Sequence, residues 1–87
     1  MKITKKNGTI SVYDDEKVAR SILNANANVP AEAITPAMAA ALADEVFARL
    51  TRRHDIITTA EVRACVSALL GEKGLTGTAK SYMDYVK

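Results

Sequence analysis

The residues that could do chemistry are few. The 87-residue chain holds one histidine, His54, and one cysteine, Cys65. Two such groups leave a tetrahedral zinc site half filled unless carboxylates or another chain complete it. A lone cysteine makes no internal disulfide, which points to a reducing compartment. Cys65 falls on an apolar helical stripe with Val62, Val66, Leu69 and Leu70. A packing thiol is the expected role there, not a nucleophile. His54 follows Arg49, Arg52 and Arg53 at the expected end of a helix. An imidazole in that place partners the negative end of the dipole. Neither GxxxxGK[ST] nor GxGxxG occurs. The chain therefore presents no catalytic set.

The basic residues carry more information. Lys5 and Lys6 precede Asn7-Gly8, and Lys17 stands in the first turn of an expected helix. A cation at a helix start works against the local field unless an anion is near. Asp14, Asp15 and Glu16 could be that anion, and on charge alone this is the simpler reading. The functional reading is a phosphate site. Lys17, the N–H groups of the helix start, and Lys5 or Lys6 would converge on one polyanion. The three acids would then have to point elsewhere or help to hold Mg²⁺. Nucleic acid is a weaker candidate. Twelve basic residues against ten acidic give a net charge of +2, too balanced for coating phosphates in number. The segment from Thr59 to Leu70 could form a recognition helix with Arg63 exposed, but one Arg beside a dense apolar face argues against it.

The elements that must position these groups follow from composition and patterning. Apolar residues make up 48% and charged residues 25%, an ordinary balance for a folded domain. The length fits one domain over residues 1–87, burying roughly 60–65% of its unfolded surface. No apolar run reaches the ~20 residues of a membrane span. The first residues lack the apolar core of a signal peptide, so a cytoplasmic setting is expected. The first 13 residues read as a hairpin. Thr9-Ile10-Ser11-Val12-Tyr13 alternates with period two, and Asn7-Gly8 suits a two-residue type I′ turn. The apolar side of that hairpin needs something to lie on.

Four helices are expected next. Asp14-Asp15-Glu16 opens the first, whose face carries Val18, Ile22 and Leu23; Asn24, Asn26 and Asn28 weaken it before Pro30. Thr35-Pro36 opens the longest, with Met38, Leu42, Val46 and Leu50 on a stripe widened by Ala39, Ala43 and Phe47. Thr58-Thr59-Ala60-Glu61 fits a capping box, with Ile57 and Val62 spaced for a hydrophobic staple. Ile56 and Ile57 before it can add a third strand. Thr76-Gly77-Thr78 opens the last helix, with Leu75, Ala79, Tyr82, Met83 and Val86 on one side. The fold class is α+β: a small four-helix bundle capped by an N-terminal antiparallel hairpin, with room for a three-stranded sheet.

Four segments in this order resemble a known family. Ile3-x-Lys5-Lys6-Asn7-Gly8 is similar to its Val-x-Lys-Arg-Asp-Gly opening. Val12-Tyr13-Asp14-x-x-Lys17-Val18 is similar to its Pro-Phe-Asp-x-x-Lys-Ile segment. Ile57-Thr58-Thr59-x-Glu61-Val62 resembles its Ile-x-Thr-x-Glu-Ile helix start, and Ala79-x-x-Tyr82-x-x-Tyr85-x-Lys87 its closing motif. The family is the ATP-cone, the nucleotide-sensing regulatory domain at the start of many ribonucleotide reductases. The resemblance covers nearly the whole chain and implies a helical bundle capped by a small antiparallel sheet, with nucleotide between the two.

Carried over by position, the resemblance implies that Lys5 and Lys6 contact phosphates, that Lys17 reaches the nucleotide and that Asp14 hydrogen-bonds near the base. Val18 and Val62 would pack on adenine with Ile3. Thr59 would touch the base, Arg63 the ribose and phosphates, and Lys87 would close on the phosphates. The effector would be ATP or dATP with Mg²⁺. The partners would be the catalytic region or subunits of a ribonucleotide reductase and a second copy of the chain, and the domain itself would be non-catalytic. Lys6 in place of Arg loses the bidentate fork. Ser11 and Arg63 replace residues that some members use on the base and sugar, which bears on ATP against dATP more than on binding. Two other readings stand beside this one. A nucleotide-responsive transcriptional regulator would carry a zinc ribbon before the cone, and this chain starts at the cone. A degenerate cone would serve only protein–protein contact.

Overall fold

The computed structural model describes residues 2–4, 8–52 and 56–85, without the side chains of Ile56 and Tyr85. Lys5, Lys6, Asn7, His54, Val86 and Lys87, which the sequence singles out, lie outside the described residues. The elements run β1 (Lys2–Thr4), β2 (Ile10–Val12), α1 (Asp15–Asn26), a 3₁₀ turn (Pro30–Glu32), α2 (Pro36–Thr51), β3 (Ile56–Thr58), α3 (Thr59–Glu72) and α4 (Thr76–Tyr85). The class is the expected α+β, with four helices and a three-stranded sheet.

The first three helices begin where local chemistry supplies a cap. Asp14 Oδ1 accepts from the Glu16 and Lys17 amides at 3.0 and 3.3 Å. Thr35 Oγ1 accepts from Met38 N at 3.1 Å, with Pro36 inside the first turn. Thr58 Oγ1 accepts from Glu61 N at 3.2 Å, the forward half of the expected capping box. The helices close a ring in which α1 packs on α2 and α4, and α3 packs on the same two. Ile22, Val46, Leu50, Val66, Leu69 and Leu70 fill its centre. Met38 and Phe47, expected on the core stripe of α2, lie at its rim and are exposed. Phe47 covers Tyr13 instead, with ring centroids 5.4 Å apart.

The sheet order is β2-β1-β3. β1 pairs with β2 antiparallel and with β3 parallel, so the sheet is mixed and not wholly antiparallel. A long crossover through α1 and α2 separates β1 from β3, as a parallel pair requires. The β1–β2 register differs from the one expected. A two-residue Asn7-Gly8 turn would set Ile3 opposite Val12. The observed pairs are Ile3 with Ser11, Lys2 with Val12 and Thr4 with Ile10. Gly8 does take the positive φ that the turn chemistry predicts, at 82°. A shift of one residue exchanges the faces of a strand. The inward row is therefore Ser11, Ile3 and Ile57, while Ile10 and Val12 stay 58% and 74% exposed. The expectation that the apolar side of β2 lies on the bundle does not hold. Ser11 takes the inward place because that row borders a cleft.

At the other end of α1, Asn26 is buried. Its Oδ1 accepts from Ile34 N at 3.0 Å. Its Nδ2 donates to the Glu32 carbonyl and, at 3.1 Å, to Thr78 Oγ1. The Glu32 carboxylate accepts from Gly77 N at 2.9 Å and Thr78 N at 2.8 Å. It thereby caps α4 from a segment more than 40 residues away in sequence. These bonds hold the Glu32 carboxyl below its usual range, the Thr78 amide most of all. Asn26 was read from sequence as a helix-weakening residue; in the fold it ties three segments together.

Candidate functional site

A cleft of about 360 Å³ opens between the inward face of the sheet and the near ends of α1 and α3. That volume lies in the range of small-molecule sites. The sheet contributes Ile3, Ser11 and Val12, and the link to α1 contributes Tyr13 and Asp14. Lys17, Val18 and Ser21 come from one face of α1, at helical spacings of one and three to four residues. Thr59, Val62 and Arg63 come from the first turns of α3, and Tyr82 from α4.

Ile3 and Val62 are buried and Val18 is half-buried, so the cleft has an apolar floor. Two cations, Lys17 and Arg63, stand on its wall with one anion, Asp14. Such a floor with a basic rim suits a flat apolar ring that carries an anionic tail.

Seven of the ten residues singled out from sequence line this one cleft: Ile3, Asp14, Lys17, Val18, Thr59, Val62 and Arg63. The other three, Lys5, Lys6 and Lys87, lie outside the described residues. The start of α1 differs from the phosphate cradle considered above. Its Glu16 and Lys17 N–H groups are taken by the Asp14 carboxylate. An anion in the cleft must therefore be met by side chains rather than by those amides.

Sequence reasoning did not assign four of the lining residues. Tyr13 donates its phenol proton to the Ala43 carbonyl at 2.9 Å. Burial, then the charge of Asp15, pushes its pKa up, so it stays a neutral donor. Tyr82 is 3% exposed, and burial raises its pKa too, against a hydrogen bond with Ser21 and the charge of Arg63. Ser21 in turn donates to the Val18 carbonyl at 2.8 Å. Ser21 was discoverable, since it stands four residues after Lys17 and three after Val18. Val12 was not, because its place depends on the β1–β2 register.

Among the described residues no group of three or more His, Cys, Asp or Glu is placed to hold a metal ion. No described helix is long and apolar enough to cross a membrane.

Fold and cleft together define a small ligand-binding module, a helical bundle whose sheet roofs a cleft with an apolar floor and a basic wall. The chain matches the model of the ATP cone domain over residues 1–87 and belongs to that family. ATP cone domains bind nucleotide effectors and are regulatory rather than catalytic. No curated protein matches the chain.

Proposed function

We propose that residues 1–87 act as one nucleotide-sensing domain that binds ATP or dATP in the cleft and so controls a ribonucleotide reductase in the cytoplasm. The observation that carries this reading is that seven of the residues carried over from the family resemblance line one cleft of nucleoside size. Adenine would lie on Ile3, Val18 and Val62, with Thr59 and Asp14 at its polar edge. Lys17 and Arg63 would meet the ribose and phosphates, and the family resemblance adds Lys5, Lys6 and Lys87 as further phosphate contacts. Mg²⁺ would arrive on the triphosphate, whose oxygens suit a hard cation; among the described residues no carboxylate group is placed to hold it.

Control requires that the two ligands favour different arrangements of the domain and its partner. The partners are the catalytic region or subunits of the reductase, and a second copy of this chain. The 2′-hydroxyl is one group, so discrimination falls to one or two contacts, with Arg63 and Ser11 nearest in role.

Calorimetric titration of the chain with Mg-ATP and then Mg-dATP tests the reading. Micromolar binding is expected, weakened roughly tenfold to a hundredfold in Lys17→Ala, the worth of a charge-assisted phosphate contact. No heat with either nucleotide from a folded chain would leave only the protein-contact reading.

A further inference from the structure

The bonds around Asn26 and Glu32 and the cleft wall share one helix. α4 starts at the Asn26 end of α1 and runs back along it. Thr78 stands against Asn26, Ser81 donates to the Ala25 carbonyl at 2.8 Å, and Tyr82 lines the cleft together with Ser21. Thr78 and Tyr82 are four residues apart, so they share a face about 6 Å from one another along the axis.

Among the described side chains of α4, Tyr82 is the one on the cleft wall, and it is almost fully buried. Ser81, next to it in sequence, ties α4 to the Ala25 carbonyl. The other anchor of α4 is its first turn, where the Glu32 carboxylate takes the Gly77 and Thr78 amides together. The bonding leaves little play. A Cβ at Gly77 would stand 2.7 Å from Glu32 Oε2 and 3.0 Å from Val29 Cγ1.

We infer that Glu32, which touches no part of the cleft, is a positioning residue for it: by clamping the first turn of α4 it sets where Tyr82 stands against Ser21. The inference deepens the proposed function and rests on that reading for its ligand. A helix is stiff over one to two turns, so a change of tilt or rotation at Gly77 is passed to Tyr82, with the Ser81 bond to Ala25 as the pivot between them. Loosening the clamp therefore reshapes the cleft wall without altering any residue that lines it.

Amide NMR spectra of the wild-type chain and of Glu32→Gln test this first, with no ligand added. Gln keeps the length of the side chain and loses the charge and one acceptor. Shifts are expected to run from Gly77 and Thr78 along α4 to Tyr82 and across to Ser21. Shifts confined to Gly77, Thr78 and the Pro30–Glu32 turn would overturn the inference. Should Glu32→Gln fail to fold, Glu32→Asp carries the same test, because it keeps the charge and draws the carboxylate back from the Gly77 and Thr78 amides.

Titration with Mg-ATP follows, at a temperature where every variant is folded by circular dichroism. Glu32→Gln is expected to weaken binding roughly 2- to 30-fold. Thr35→Ala, which removes the cap of α2, is expected to lower the unfolding midpoint and leave the Kd unchanged. Wild-type affinity in Glu32→Gln would also overturn the inference. If the wild-type chain takes no nucleotide, the functional reading falls, and the spectra alone decide the role of Glu32.

Discussion

The two ends of α1 solve opposite problems with similar residues. At the Asn26 end, polar groups are buried and paired across segments, with an amide, a carboxylate and a hydroxyl closing on one another. At the Asp14 end, Asp14 and Lys17 are exposed, and the side-chain hydrogen bonds shown for Asp14 stay within three residues. Lys17 and Arg63 face one cleft there beside Asp14, whose carboxylate is engaged only by the start of its own helix among the hydrogen bonds shown. Buried polar groups fix geometry because leaving one unpaired is costly. Exposed ones are free to meet a ligand. The difference assigns stability to one end and recognition to the other, and substitutions at each should separate the two.

The largest effect is expected at Asn26. Asn26→Ala removes one acceptor and two donated bonds from a buried place, stranding Ile34 N. A loss of about 3 kcal/mol is expected, lowering the thermal midpoint by roughly 12–24 °C. Lys17→Ala is its mirror image, costing affinity as stated above while the midpoint holds still, because Lys17 is exposed. Thermal melts of both variants check the contrast, which fails if either one moves the other's observable as far as its own.

Gly77→Ala comes next. Alanine is the better helix former by about 1 kcal/mol. Here its Cβ would meet the Glu32 carboxylate at 2.7 Å, and that carboxylate is the cap of α4. Net destabilisation of roughly 1–2 kcal/mol is expected, where propensity alone predicts a gain. A urea midpoint above wild type would show that Glu32 is not clamped.

The two ends should also titrate in opposite senses. Glu32 has its folded pKa lowered from 4.5, first by the Thr78 amide. Its unfolded form binds protons more tightly, so its contribution is complete above about pH 4.5 and is lost as pH falls through the lowered value. Asp15, beside the cleft, is raised from 3.8 by lost solvent, then by a hydrogen bond to and the charge of Asp44. Its contribution is complete below that value and is lost as pH rises through the raised one. Acidification from pH 6 should therefore relieve the Asp15 end before it releases the Glu32 end. Urea midpoints between pH 6 and pH 3 test this. Asp44→Asn should stabilise at pH 6 and remove the early gain, and Glu32→Gln should flatten the later loss. Parallel curves for all three proteins would refute the assignment.

The same division explains what was legible in sequence. Caps at Asp14, Thr35 and Thr58 are local, settled within four residues, and were readable. The resemblance that singled out seven of the lining residues has two of its four motifs on the Asp14 and Thr58 starts. Asn26 was not readable, because its partners stand 6, 8 and 52 residues away, and alone it looks like a poor helix former. The inward turn of Ser11 was hidden by a register that differs by one residue from the turn-based expectation. The rim places of Met38 and Phe47 were hidden too, since periodicity gives a face but not its edges.

The finest test of the comparison asks whether Asp14 does more than cap. Asn caps a helix as well as Asp does, so Asp14→Asn should leave stability within about 0.5 kcal/mol. If the role were structural alone, affinity for ATP would rise, because one negative charge leaves the neighbourhood of the phosphates. The proposed contact with the base predicts otherwise. Oδ1 already serves the Glu16 and Lys17 amides, which leaves the second oxygen to accept from the exocyclic amine of adenine. Asparagine presents a donor there instead. ATP should then bind roughly fivefold more weakly, the worth of about 1 kcal/mol. Inosine triphosphate, with an acceptor in place of the amine, should gain by a similar factor. Titrating both nucleotides against both proteins reads the exchange directly, and equal shifts for the two bases would remove Asp14 from base recognition and return it to the cap.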